Sequence, residues 1–319
     1  MLTDAVIQNL QKVVSEPSLA KTRYELKKLI GAGGMGTVYL VHDRELARDV
    51  ALKLVQEDLD VEDFSIRLRA EARTLAQLDH PGIVSVYDVG VLDDKRVYYT
   101  MKFIEGESLE QALKNEPSLA WKLRIFRQVC ETIGFAHARE IVHLDLKPGN
   151  IIVAPFGETL VVDWGIARAL SQTLPSENSS QTAGTPIYMA PEQLDPGLGA
   201  VSPATDVFAL GRILLFMLTG RLNDNSVDQA TIRGSLVKIS RPLRAICNKA
   251  LSKYPENRYP SGLELMEDIT RFLDQKPVKA YEETWLEISL RWLRKNKILL
   301  YLLLAYLLMR VAVAVFLRK

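Results

Sequence analysis

Near the end of the chain, Ile298 to Leu317 read ILLYLLLAYLLMRVAVAVFL, twenty residues in which every side chain is apolar or tyrosine except Arg310. At 1.5 Å per residue a helix of this length covers the roughly 30 Å hydrocarbon core of a bilayer, so the run predicts a single membrane-spanning helix. A buried or surface-lying helix is the competing reading, and nothing polar marks a second face for it. Arg310 would cost about 2.5–3.5 kcal/mol at the bilayer centre, but it sits off-centre and can snorkel, and the leucines outweigh it.

That run divides the chain. Seven of the 40 basic residues and none of the 39 acidic ones lie in 291–319, which leaves a body of 33 basic and 39 acidic residues, a net charge of −6. Such a body is a poor binder of nucleic acid, and no nucleic-acid partner is expected. RWLRKNK (291–297) carries four basic residues ahead of the apolar run and only Arg318 and Lys319 follow it, so the positive-inside bias keeps the body cytoplasmic in a single-pass cell-membrane protein. With two residues past Leu317, no external sensor domain is expected in this chain. MLTDAVIQNL has no secretory pattern; Leu2, Val6, Leu10, Val13 and Val14 predict a short amphipathic helix ending near Pro17. Cys130 and Cys247 lie far apart with no CxxC spacing, which argues against a disulfide framework or a zinc site and for a reducing compartment.

Within the body, LKKLIGAGGMGTVYLV (26–41) sets Gly31, Gly33 and Gly36 between two β-rich runs, with Val38 two residues beyond. Glycines let backbone amides approach phosphate closely. A dinucleotide-binding loop would be followed by a helix, whereas TVYLV continues as a strand. The next strand, DVALKLV (49–55), places Lys53 in an apolar run, and eighteen residues later a helical stretch offers Glu71 as its partner.

Residues 141–153 read IVHLDLKPGNIIV and residues 160–165 read LVVDWG. The order and spacing of the glycine loop, Lys53, Glu71, His143, Asp145, Asn150 and Asp163, with Ala190–Glu192 as APE, resemble the protein kinases. Most specifically the chain is similar to the eukaryotic-like, Hanks-type serine/threonine kinases of bacteria. The resemblance implies an α+β, bilobal fold: an N-terminal extension (1–23), a small lobe with a five-stranded antiparallel sheet and one helix (24–104), a mainly helical lobe (105–275), a basic juxtamembrane segment (276–297) and the spanning helix (298–317). It places ATP between the lobes, against Ile30, Gly31, Gly33, Gly36, Val38, Ala51, Lys53, Met101, Lys102 and Ile104. Lys53, held by Glu71, would contact the phosphates. Asp163 and Asn150 would bind Mg2+, for which Mn2+ can substitute. Asp145 would accept the proton of the substrate hydroxyl, Lys147 would neutralise charge on the transferred group, and Thr185 would bridge Asp145 and Lys147. Asp206 would anchor the catalytic loop and Arg258 would pair with Glu192, while His80, His137 and His143 are structural.

DLKPGN and GTPIYMAPE resemble the serine/threonine group and favour protein substrates over small molecules. The implied activity is phosphorylation of protein serine and threonine, with autophosphorylation, by a signalling kinase tethered to the bilayer and open to homodimerisation. Two departures stand out: Leu144 replaces the arginine that pairs with a phosphorylated activation loop, and Trp164 replaces the phenylalanine of DFG. They leave an inactive nucleotide-binding scaffold as the competing reading.

Overall fold

A computed structural model describes residues 17–33, 36–54, 61–164, 167–169, 186–220 and 239–296, with residues 301, 302, 305, 306, 308–310 and 313 beyond them. The helix expected near residues 2–14 and Thr185 lie outside the described residues.

The first lobe is built from β1 (Tyr24–Gly33), β2 (Gly36–Asp43), β3 (Arg48–Leu54), helix α1 (Val61–Ala76), β4 (Val86–Val91) and β5 (Val97–Lys102). The strands form one sheet in the order β1-β2-β3-β5-β4, antiparallel throughout, as expected. The period-2 alternation of strands sorts the side chains of β3 between two faces. Val50, Leu52 and Leu54 join Tyr24, Tyr39, Val41 and Tyr98 in a core on one face, closed by Leu19. Ala51 and Lys53 point to the other. There α1 packs through Leu68, Ala72 and Leu75, spaced i, i+4, i+7, so its apolar stripe meets the sheet and carries Glu71 in with it.

The second lobe contains β6 (Glu107–Ser108), α2 (Leu109–Ala112), α3 (Leu119–His137), β7 (Ile141–Val142), β8 (Ile151–Val153), β9 (Thr159–Val161), β10 (Arg168–Ala169), α4 (Pro191–Leu194), α5 (Pro203–Thr219), α6 (Arg241–Ala250), α7 (Gly262–Leu273) and α8 (Trp285–Lys295). Strands β6, β8 and β9 form a small antiparallel sheet and β7 pairs with β10. Ser118 caps α3, its hydroxyl accepting from the amide of Trp121 at 3.2 Å. Phe126, Val129, Cys130 and Ile133 on α3 are fully buried against α5 and α7. The α3–α7 crossing depends on two glycines: a Cβ at Gly262 would lie 2.7 Å from the carbonyl of Cys130, and one at Gly134 would lie 2.5 Å from the side chain of Leu263. Beyond α7, buried Asp268 accepts from the amides of Lys279 and Ala280 at 2.6 and 2.9 Å and from the Tyr259 hydroxyl at 2.8 Å, fastening residues 279–280 to the lobe.

Among the described residues no helix is long and apolar enough to cross a membrane. Most of 298–317 lies outside them. Those that are described, Tyr301, Leu302, Ala305, Tyr306, Leu308, Met309, Arg310 and Val313, are helical and exposed.

Candidate active site

Lys53 stands at the centre of a buried ionic cluster. Its Nζ donates to Glu71 Oε1 and Oε2 at 2.8 and 2.9 Å and to Asp163 Oδ1 at 3.0 Å, joining β3, α1 and the segment after β9. The side chains of Lys53 and Glu71 are 7% and 2% exposed, so neither charge is hydrated and each depends on the other. Burial opposes the lysine's charge, but Glu71 and Asp163 outweigh it and raise the pKa above its ordinary value. The converse holds at Asp163, where burial works against ionisation and Lys53 prevails, lowering the carboxyl's pKa.

A fourth member was not foreseen. Tyr99 lies directly opposite Lys53 in the β3–β5 register, and its hydroxyl donates to Glu71 Oε1 at 2.9 Å. Burial and the neighbouring Glu71 push the phenol's pKa well up, which keeps it a donor. The apolar alternation of VYYTM (97–101) could have placed Tyr99 on this face, but only the strand register pairs it with Lys53.

The same face continues towards the end of β5 and Ile104. Val38 pairs with Lys53, and Ala51, 4% exposed, is flanked by Leu40 and Met101. Ile30 and Lys102 are exposed, and Met101 and Ile104 pack against the main core. In the glycine segment Gly31 pairs with Val38 and Gly33 with Gly36. Gly36 has φ 143°, a backbone conformation that residues with a Cβ rarely adopt.

Between β7 and β8 a second cluster forms. Lys147 Nζ donates to Asp145 Oδ2 at 2.8 Å, and Asn150 Nδ2 donates to the carbonyl and to Oδ2 of Asp145 at 2.9 and 3.2 Å. The backbone that presents Asp145 is strained: Leu144 has φ 68°, an unusual value for a bulky residue that costs about 1–2 kcal/mol. Asp206, in the first turn of α5, stabilises this conformation. Its carboxylate accepts from the amides of His143 and Leu144 at 2.7 and 2.9 Å and bonds His137 Nε2 at 2.9 Å. Burial opposes ionisation of Asp206, and the bond from His137 together with the others more than offsets it, so the carboxyl lies below its ordinary pKa. The amides of Gly262 and Asp145 occupy Nδ1 of His137 and of His143, which assigns the Nε2 proton of each ring to Asp206 and to the Val162 carbonyl. All three expected structural histidines are at least partly buried; His80 packs on Phe135.

Asp163 also adopts a left-handed conformation, φ 64°. Two bonds set its segment beside the catalytic loop: Val162 N to Asn150 O at 2.9 Å, and His143 Nε2 to Val162 O at 3.2 Å. Trp164 is 1% exposed, donates its indole N–H to Val161 O at 3.1 Å and packs on His143 with ring centroids 4.6 Å apart. The larger ring is thus buried and satisfied, a packing unit with the catalytic-loop histidine. At the other side of the loop Gln193 Nε2 donates to the Leu144 carbonyl at 3.2 Å, a tie that sequence reasoning missed. Arg258 forms a bidentate pair with Glu192, 2.7 Å on each arm with both side chains fully buried, and gives its remaining donors to the carbonyls of Ala204, Ser252 and Lys253.

The oxygen donors fit a hard divalent cation. Asn150 spends its Nδ2 on Asp145, leaving the amide oxygen for an ion, and Asp163 is ionised. Two protein oxygens suit an ion such as Mg2+ that keeps waters and substrate phosphates as its other ligands.

Comparison with known proteins agrees with this geometry. Residues 24–278 match the protein kinase domain. The chain is 34% identical over 288 residues to the serine/threonine-protein kinase PknB of Mycobacterium tuberculosis, covering 84% of this chain and 45% of that protein. It is 39% identical over 290 residues to the serine/threonine-protein kinase PknD of Chlamydia muridarum, covering 76% of this chain and 31% of that protein. The PknD of Chlamydia felis is 36% identical over 301 residues. The chain thus spans less than half the length of these relatives.

Proposed function

The chain belongs to the protein kinase domain family, among the serine/threonine protein kinases, and from that premise we propose that it transfers the γ-phosphoryl group of ATP to serine and threonine hydroxyls of proteins while anchored to a membrane through residues 298–317. The observation that carries this reading is the closed Lys53–Glu71 pair, reached at the same time by Asp163. In protein kinases the Lys–Glu pair must be in place for phosphoryl transfer, together with the aspartate that holds the metal, and here the first is formed with Asp163 beside it.

Transfer proceeds through a loose transition state, so the residues act mainly by alignment and by neutralising charge. Gly31, Gly33 and Gly36 cover the phosphates while Ile30, Val38, Ala51, Met101, Lys102 and Ile104 line the base. Lys53, fixed by Glu71 and Tyr99, holds the α and β phosphates. Asp163 and Asn150 would hold Mg2+, which would offset the charge on the phosphate oxygens. Asp145 orients the substrate hydroxyl and accepts its proton, and Lys147 neutralises charge on the transferred group. Thr185 completes the acceptor side. The strained backbone at Leu144, clamped by Asp206, sets the direction of the Asp145 carboxylate.

Membrane anchoring is supported by the composition of 298–317 and by the exposure of Tyr301, Leu302, Tyr306, Leu308, Met309 and Val313, which are 51–69% accessible. The basic residues before the run favour a cytoplasmic kinase domain. Labelling a generic protein substrate with γ-labelled ATP, followed by acid hydrolysis, tests the chemistry. Phosphoserine and phosphothreonine are expected; label on tyrosine or on small molecules alone would contradict the reading. Resistance of the full chain to carbonate extraction tests the anchor, and release by salt would refute it.

A further inference from the structure

Helix α8 is inside out for a helix of a water-soluble domain. At 100° per residue its sequence WLEISLRWLRK gathers Glu287, Arg291, Arg294 and Lys295 into one sector and Trp285, Leu286, Ile288, Leu290, Trp292 and Leu293 into the rest. Such a helix ordinarily turns its apolar face to the core. Here Glu287 and Arg291 of the polar sector meet the protein: Glu287 accepts the Tyr281 hydroxyl at 3.0 Å on each oxygen and lies 3.5 Å from Arg241 of α6, and Arg291 pairs with Glu283. The described apolar side chains face outward, with Trp285 73%, Leu286 53%, Ile288 49% and Trp292 53% exposed. A capping box, in which Thr284 and Glu287 exchange side-chain-to-amide bonds, starts the helix without help from that face.

We infer that α8 lies in the headgroup region of the bilayer, its tryptophan-bearing face turned into the acyl boundary, as a second membrane contact that fixes how the kinase domain sits over the lipid. This rests on the membrane-anchored reading above. Three observations select lipid as the occupant. The face is continuous in sequence with the apolar run that starts at Ile298, whose described side chains are exposed as well. Tryptophan is the side chain most favoured where one end of a ring meets hydrocarbon and the other meets water. Arg294, Lys295 and Lys297 add positive charge suited to anionic headgroups. The helix also stops before the run: Asn296 leaves helical geometry (φ −108°, ψ 32°) and its Nδ2 donates to the Trp292 carbonyl at 2.9 Å, so α8 is a separate segment.

The test uses the full chain reconstituted in phosphatidylglycerol and phosphatidylcholine vesicles, with bromine atoms near the headgroup end of the acyl chains as quenchers of tryptophan. Two of the four tryptophans sit on α8, so Trp285→Phe/Trp292→Phe, which keeps the apolar area, should remove at least half of the lipid-quenched emission without releasing the chain from carbonate-washed membranes. Retention in carbonate with Trp285 and Trp292 quenched by aqueous iodide and not by brominated lipid would overturn the inference and leave the anchor intact. Shielding from both quenchers, with disulfide-linked pairs formed by Ile288→Cys, would assign the face to a second copy of the chain and also overturn it. Release by carbonate with lipid quenching preserved would refute the anchor and leave the interfacial helix standing. Release without lipid quenching would refute both.

Discussion

Replacing Lys53 with methionine should destabilise the protein as well as silence it. Methionine retains the apolar stem but leaves Glu71, whose side chain is 2% exposed, as an uncompensated charge, to which among the described residues the Tyr99 hydroxyl still donates. Removing one partner of a buried pair costs about 3–5 kcal/mol. At roughly 2–4 °C per kcal/mol for a domain of this size, Tm should fall by about 6–20 °C. The Lys53 pKa is raised in the folded state, so its contribution is complete below the unfolded value and is lost only as pH rises through the higher folded value; at pH 7.5 the loss is read in full. A second substitution, Lys53→Met/Glu71→Gln, removes the stranded charge and should recover at least half of the lost Tm, since Asp163 is 33% exposed and can be hydrated. Turnover should stay at least about a hundredfold down in both variants, because the charge beside the phosphates is still missing. Thermal melts and initial rates on the three proteins give the answer. A single variant that melts like the parent would refute the buried pair, and a folded variant that turns over normally would refute the role of Lys53.

Four further outcomes follow from the same geometry. Tyr99→Phe should lower kcat by no more than about tenfold and cost about 1 kcal/mol in a thermal melt, the worth of one bond to a charged acceptor that keeps another partner. Trp164→Phe should lose about 1–3 kcal/mol through the vacated volume and the lost indole bond to the Val161 carbonyl while keeping activity within about threefold; a rate loss beyond about a hundredfold would show that the indole sets the position of Asp163. Asp206→Asn puts an amide where a carboxylate accepts three donors, and should lower Tm and turnover together; because the folded pKa of Asp206 lies below the unfolded value near 3.9, the Tm difference from the parent should be equal at pH 6 and pH 8 and shrink only as pH falls below about 4. Alanine at Ser171, Thr173, Ser176, Ser179, Ser180 and Thr182, which lie outside the described residues, should leave peptide phosphorylation within about threefold, roughly 0.7 kcal/mol, since Leu144 cannot bind a phosphate; a large loss restored by glutamate at one of them would contradict this.

The parts of the site that could be read from the chain are those marked by unusual residue types at fixed spacing. A lysine in an apolar strand, the aspartate and lysine of DLKPGN and a tryptophan after an aspartate each break the local pattern, and the structure accordingly brings Lys53 to Glu71 and Lys147 to Asp145. Glu192 and Arg258, 66 residues apart, meet as expected. What escaped notice depends on geometry that local pattern does not encode. Tyr99 reads as one more aromatic of a β-strand until the β3–β5 register sets it against Lys53. Gln193 reaches the Leu144 carbonyl only because α4 folds back over the catalytic loop. The segment 276–297 stands out in the sequence by its charge, yet it contains a capped amphipathic helix whose signature is Thr284 followed by Glu287; the direction it faces is decided by Tyr281, Arg241 and Glu283.

The central claim is that Asp145 drives transfer of a phosphoryl group from ATP to protein hydroxyls. Its most direct test measures nucleotide binding and labelling of a protein substrate in parallel, on the full chain and on Asp145→Asn, which keeps the side chain's size beside Lys147 and Asn150. The account predicts equal ATP affinity in the two proteins, labelling of serine and threonine by the parent, and a loss of at least about a hundredfold in the variant, near 3 kcal/mol. Saturable ATP binding with no transfer by the parent, or labelling that persists in the variant, would contradict it.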